Sequence, residues 1–314
     1  MAAQERDAIG RPRIGVSSCL LGDPVRYNGG HSRCRFLTDE LAPYVDWVPF
    51  CPEMEIGLGT PRETLRLTAD DRLVSRSLAA DHTAAMAALP LAPGLDGQVF
   101  KARSPSCGIR GIPRYGADGR PADRRGRGVY AARLIDADPL LPVEDEGRLN
   151  DAGLREAFVE RVFARARLRE LFEGDWRPRD LVAFHTRHKV QILAHDPAGY
   201  RLAGRVVARA GDRPREETEA AYRELFDAAL ARKATRGRNA NALQHVFGLI
   251  SEVLDDTRRH DIVASIEEYR LGGAPLSLPV ALLSHHARGE GIAWAADQTF
   301  LAPFPAALHL RHHL

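Results

Sequence analysis

The first third of the chain alternates short apolar runs with amphipathic ones. "RIGVSS" (13–18), "DWVPF" (46–50) and "GQVFKA" (97–102) are apolar along their length, as expected of strands buried on both faces of a parallel sheet. Between them, "LTDELAPYV" (37–45) and "SLAADHTAAMAAL" (77–89) have helical composition and spacing. This alternation predicts a layered, Rossmann-like α/β domain with a mainly parallel sheet.

Residues 110–128, "RGIPRYGADGRPADRRGRG", are dense in Gly, Pro and Arg without an apolar period. They read as a loop, and their arginines make contact with an anionic ligand an open alternative. Residues 136–151, rich in Pro and acidic side chains, read as a linker. Beyond about residue 152 no strand pattern appears. Leu154, Phe158, Val162 and Ala166 begin a helical stripe closed by Gly174. Further helices are predicted over 179–196, 218–234, 241–256, 258–272 and 278–291, with a last short one after them. The expected organisation is an α/β domain over 1–150 and an all-α domain over 151–314.

The 314 residues suit two domains, and 44% hydrophobic with 27% charged residues is a globular composition. No run approaches the roughly 18 apolar residues of a membrane span, and "MAAQERDAIGRPR" lacks a secretory apolar core. A cytoplasmic protein without a membrane partner is expected, with its oligomeric state open. Net charge is only +2, but 41 of the basic residues are arginine and three are lysine. Arginine favours forked phosphate contacts and base stacking; GC-rich coding favours it too. Residues 151–314 hold 24 basic and 22 acidic residues, so an RNA footprint must come from clustering rather than from total charge.

Four cysteines in so long a chain are not a disulfide framework. Cys19, Cys51 and Cys107 each follow a predicted parallel strand closely, with glycines nearby, whereas Cys34 follows none and reads as a loop thiol. Ligands bind along the carboxyl edge of such a sheet, so the three thiols are expected to meet in one crevice. Converging thiolates suit zinc or an iron–sulfur cluster. Three ligands without a CxxC pair leave one metal position open, as catalytic centres do.

"SSCLLGDPVRYNGGHSRC", "CPEMEIGLGTPRE" and "SPSCGIRG" resemble the signature blocks of the thiouracil desulfidase family. "FHTRHKVQILAHDPAGYRLAGRVVA" (184–208) and residues 241–305 resemble a YbgA-like module. Fused in this order, the two resemble RNA 4-thiouridine desulfidases, which remove sulfur from that base in tRNA. The resemblance implies a [4Fe-4S] cluster on Cys19, Cys51 and Cys107, with a fourth iron free of protein ligands that takes the substrate's sulfur. It also implies thiolated tRNA as the partner, or a thiopyrimidine.

Exchanging C=S for C=O is an addition–elimination without net redox change, and it needs a base or nucleophile near the attacked carbon. Glu53, two residues past Cys51, is the first candidate and Glu55 a weaker one, with a capping or arginine-pairing glutamate as the alternative. Ser104 and Ser106, flanking Pro105, are candidates to hold the pyrimidine or shuttle a proton, with ordinary turn chemistry as the alternative. Tyr27 and Asn28 are candidate pocket residues, with a plain loop as the alternative. Arg187 and Lys189, with His188, Arg201 and Arg205, suggest a basic face for phosphates, with a solvated surface laced with salt bridges as the alternative. His185 and His188 are three apart on one helix, but no third ligand accompanies them as a metal site would need. Competing readings are a free-base desulfidase, an RNA-binding protein whose structural metal takes Cys34 as fourth ligand, and an iron–sulfur redox protein.

Overall fold

A computed structural model describes residues 11–313. The chain divides between Phe158 and Val159 into two compact units, each considered by itself. The first contains, in order, β1 (Arg13–Ser17), β2 (Asp46–Phe50), α1 (Pro52–Glu55), β3 (Leu65–Thr68), β4 (Leu73–Ser75) and α2 (Thr83–Ala88). Then come β5 (Gly97–Phe100), β6 (Ile112–Tyr115), β7 (Pro121–Gly126), α3 (Val129–Ala137) and β8 (Val143–Asp145). The main sheet has the order β2-β1-β5-β8 and is parallel throughout, with Ile14 opposite Trp47 on one side and Gly97 on the other. Ile14, Val16 and Val99 are wholly buried, which explains the unbroken apolar runs of these strands. The N-terminal part is an α/β fold and the C-terminal part is helical.

Residues 110–128 are not the expected loop. β6 and β7 pair as an antiparallel hairpin with an irregular register, in a second sheet of order β4-β3-β6-β7. The hairpin is held by charge rather than by an apolar face: Arg114 forks onto Asp123 through Nε (2.9 Å) and Nη2 (2.6 Å), and its Nη1 reaches Asp71 at 3.1 Å. Ile112 is its buried anchor. Such strands carry no hydrophobic period to read. The linker reading of 136–151 is corrected too, because β8 closes one side of the main sheet within it. Its acidic residues are satisfied locally, with Arg148 donating through Nε to Glu144 and through its backbone N–H to Asp145.

The expected helix over 77–89 is cut to α2. Glu63 holds the Ser77 amide and hydroxyl, and Asp81 accepts from the Thr83 amide at 2.9 Å, so side chains take the backbone before a helix forms. Residues 36–41 form a π-helical turn that runs into a 3-10 turn over 42–44.

The helices are α4 (Ala152–Glu173), α5 (Pro178–His195), α6 (Pro197–Ala208), α7 (Arg215–Ala231), α8 (Arg236–Ile250), α9 (Asp256–Leu271), α10 (Ser277–Gly289) and α11 (Ala293–Ala296). The division between the units falls within α4. Among the described residues no strand follows β8, and no helix is long and apolar enough to cross a membrane. α6 was not expected; Pro197 at its first position and Asp196, accepting from the Ala198 amide at 3.1 Å, start it afresh after α5. One core of the second unit gathers Phe172, Phe184, Tyr222 and Phe226, another Leu243, Val246, Ile262 and Leu283.

Candidate active site

β2, β1 and β5 are neighbours in the main sheet, and the chain reverses its direction of travel across the sheet at β1. The carboxyl ends of strands flanking such a reversal form the ligand crevice of open parallel sheets. Cys19 lies in the 3-10 turn Ser18–Leu20 that follows β1 directly. Cys51 is the residue after β2 and the N-cap of α1. Cys107 lies in the turn beyond β5 and belongs to the same buried cluster as Phe100, Ile112 and Tyr130.

The turn that carries Cys107 is built closely. The Gly108 amide donates to the Ser104 carbonyl at 2.7 Å, and Ser104 Oγ accepts from the amides of Ser106 (3.2 Å) and Cys107 (3.1 Å). The start of α3 is pressed against it, with the amides of Tyr130 and Ala131 donating to the Ser106 carbonyl at 3.1 and 3.2 Å. Gly128 makes that approach possible. A Cβ there would stand 2.6 Å from the Ser106 carbonyl and 2.7 Å from the Cys107 nitrogen.

The three thiols act on one another. Burial pushes the Cys19 thiol up to about 11, and the Cys51 charge adds to the shift. Cys51 is raised by burial and by Glu53, against backbone N–H groups of Met54 and Glu53 that hydrogen-bond its sulfur. Cys107 is pushed well above the usual thiol range, by burial and then by Glu53, with Cys51 and Cys19 contributing and the Ser17 hydroxyl bonding in opposition. Each cysteine is therefore close enough to the others for a thiolate on one to oppose a thiolate on the next.

Glu53 stands beside this group. Its Oε1 accepts from the wholly buried Ser106 hydroxyl at 2.8 Å. Its Oε2 accepts from Arg62 Nε at 2.8 Å and lies 2.7 Å from Nη2. The same guanidinium donates to the carbonyls of Gly59 (2.6 Å) and Val25 (2.9 Å). Val25 is also 4.0 Å from Cys51 Sγ. Arg62 thus ties the loop after β1 to the helix after β2. Sequence reasoning missed it, although it lies in the quoted "TPRE" stretch. Lys101 was missed as well; it is ion-paired to Glu146 and its charge lowers the Cys19 thiol.

The other candidates fall outside this group. Glu55 is exposed. Tyr27 and Asn28 are exposed on the loop stitched to Arg62, with the Tyr27 carbonyl accepting from the Arg62 amide at 2.8 Å and Asn28 Oδ1 from the Gly30 amide at 3.1 Å. Cys34 is half-buried at the start of the π-helical turn, its amide donating to the Leu20 carbonyl at 2.8 Å.

In the second unit, Lys189 sits 4.1 Å above the Trp294 ring, and Arg187, Arg201 and Arg205 are exposed. His188 stacks on Phe184 at 3.9 Å and donates from Nδ1 to its carbonyl at 2.8 Å. His185 Nδ1 is 3.0 Å from the Tyr222 hydroxyl. Burial pushes His185 down to about 4 and His188 well below the usual imidazole range.

Two family models match in tandem, 2-thiouracil desulfurase over residues 14–146 and a protein family of unknown function, DUF1722, over residues 189–305. The uncharacterized protein YbgA of Escherichia coli (strain K12) is 30% identical over 153 residues, 48% of this chain and 90% of its own length. The chain belongs to the YbgA-like family, and its N-terminal part is a 2-thiouracil desulfurase domain. A solved structure, the [4Fe-4S]-dependent thiouracil desulfidase TudS, is 31% identical, covers 48% of this chain and all of its own, and has a TM-score of 0.37.

The donor set of the desulfurase domain suits an iron–sulfur cluster. The buried thiols of Cys19 and Cys107 and the half-buried one of Cys51 gain as thiolates only from a strong positive centre among them. Among the described residues no group of three or more His, Cys, Asp and Glu is placed to hold a metal ion. Thiolates of an iron–sulfur cluster reach separate irons.

Proposed function

We propose that the chain is a cytoplasmic desulfidase that converts 4-thiouridine in tRNA to uridine and releases sulfide. The observation that supports this reading is the position of Cys19, Cys51 and Cys107 beyond three adjacent parallel strands, with the Glu53 carboxylate acting on two of them. These cysteines would hold a [4Fe-4S] cluster. The chemistry it supplies is a thiophilic Lewis-acid position for the departing sulfur.

The protein's own groups account for the proton traffic. The reaction adds water to the C=S carbon, forms C=O and expels sulfur with two protons, so no external oxidant or reductant is needed. Glu53 is the base. Arg62 and Ser106 hold its two oxygens, and a carboxylate retains lone pairs for a water beyond those bonds. A proton taken from that water is returned to the leaving sulfur. Ser104 Oγ accepts two backbone N–H groups, which leaves its own proton to donate to the pyrimidine. Tyr27 and Asn28 flank the base, and Arg187 and Lys189 contact phosphates of the RNA.

The test is anaerobic reconstitution with iron and sulfide, followed by incubation with thiolated tRNA and, separately, with free thiouracil. Sulfide release from tRNA, lost in Cys19→Ala, Cys51→Ala and Cys107→Ala, is expected. Equal activity in an iron-free preparation overturns the reading. A second reading, turnover of the free base alone, is favoured by the 2-thiouracil desulfurase match. It stands if thiouracil is consumed while thiolated tRNA is untouched.

A further inference from the structure

The arginine-rich stretch after Cys107 has no part in the chemistry above, yet it is built around the same turn. Arg103 and Arg110 bracket the Ser104–Gly108 turn, and both are exposed. Arg103 is held at φ 61°, a left-handed conformation that side-chain-bearing residues seldom adopt. Two residues beyond Arg110 the β6–β7 hairpin begins, and its far end comes back to the turn, because Ile112 pairs with Gly126 and the Gly128 amide donates to the Gly108 carbonyl at 2.7 Å. Arg124 and Arg125 are exposed on β7, in the two positions before Gly126 where the strand returns toward the turn.

These four differ from their neighbours in charge balance. Lys101 is paired to Glu146, Arg114 to Asp123 and Asp71, and Arg127 to Asp136. Among the described residues no carboxylate forms an ion pair with Arg103, Arg110 or Arg124, and Arg125 meets Asp123 through its backbone N–H at 2.9 Å and through the charge of its guanidinium, without a direct ion pair. Charged side chains on an outer strand such as β7 guard against edge-to-edge association. That explains Arg124 and Arg125. It does not explain Arg103 and Arg110, which lie off the sheet.

We propose that Arg103, Arg110, Arg124 and Arg125 form a phosphate-binding rim that grips the RNA backbone beside the Cys107 turn. The proposal rests on the RNA reading above and adds that the desulfurase domain itself, independently of Arg187 and Lys189, contributes to RNA affinity. Forked guanidiniums suit phosphate oxygens, and unpaired ones are free to displace the counterions of the backbone.

The test uses the full-length, reconstituted protein and a thiolated tRNA. Affinity is measured between 50 and 200 mM KCl for the wild type, for a fourfold Arg→Gln variant and for a fourfold Arg→Lys variant. Each phosphate contact contributes roughly 0.7–0.9 to the slope of log affinity against log salt, so the Gln variant should lose about 3 from the slope. Its KM for tRNA should rise with little change in kcat, and the Lys variant should keep the wild-type slope. An unchanged slope and KM in the Gln variant, with an active wild type, overturn the rim alone. A wild type that neither binds nor desulfurises tRNA overturns the RNA reading and the rim with it. Retention on anionic lipid vesicles in place of tRNA overturns both as well.

Discussion

Replacing Arg62 with methionine keeps a long side chain but removes both bonds to Glu53 and both to backbone carbonyls. The side chains of Arg62 and Glu53 are only 6% and 14% exposed, so the stranded carboxylate is nearly cut off from water. Losing one partner of a buried ion pair costs about 3–5 kcal/mol. The slight exposure of Glu53 argues for about 3 kcal/mol, or roughly a hundredfold in an equilibrium constant. The loss is local, and native-state hydrogen exchange reads it without assuming that two units unfold together. The amides of Met54, Glu55 and Gly57, now bonded to the carbonyls of Cys51 and Met54, should exchange about a hundredfold faster in the variant, while those of β1 keep their rates. Adding Glu53→Gln to Arg62→Met removes the stranded charge and should restore much of the protection. Exchange in Arg62→Met within about threefold of wild type, or a double variant that opens faster than the single one, would refute the clamp.

Ser104→Ala removes the acceptor of two amides in the Cys107 turn and should lower both iron content and activity. Ser106→Ala removes only the donor to Glu53 and should lower kcat with iron content preserved; iron assays beside turnover separate the two. Gly128→Ala drives a methyl group into the Ser106 carbonyl and the Cys107 nitrogen, so the variant should fold by circular dichroism yet take up less iron. Burial keeps His185 neutral down to about 4, whereas the unfolded chain takes up its proton near 6.5. The second unit should therefore lose stability as pH falls from about 6.5 to about 4, by up to about 3 kcal/mol from this group. Urea unfolding across that range should show a smaller loss in His185→Gln.

The strands of the main sheet were legible because burial on both faces leaves an unbroken apolar run. Ile14 and Val16 are wholly buried, as their neighbours in "RIGVSS" suggest. β6 and β7 were not legible, because an Arg114–Asp123 fork does the work of an apolar face and leaves no period. β8 was hidden by acidic residues whose partner, Arg148, only folding supplies. α6 was passed over although Asp196–Pro197 is a helix start. The placement of each cysteine beyond a strand of the main sheet was legible in the apolar run that precedes it. The Arg62 clamp was not, since a guanidinium announces neither which distant carbonyls it will reach nor which carboxylate it will hold.

Mössbauer spectroscopy of the protein reconstituted with enriched iron tests the three-thiolate arrangement most directly. One iron should differ from its three companions and should change its signature when sulfide or thiouracil is added. Serine at Cys19, Cys51 or Cys107 should abolish the spectrum, and Cys34→Ser should leave it unchanged. Four alike, fully protein-ligated irons, or a spectrum that depends on Cys34, would contradict the account.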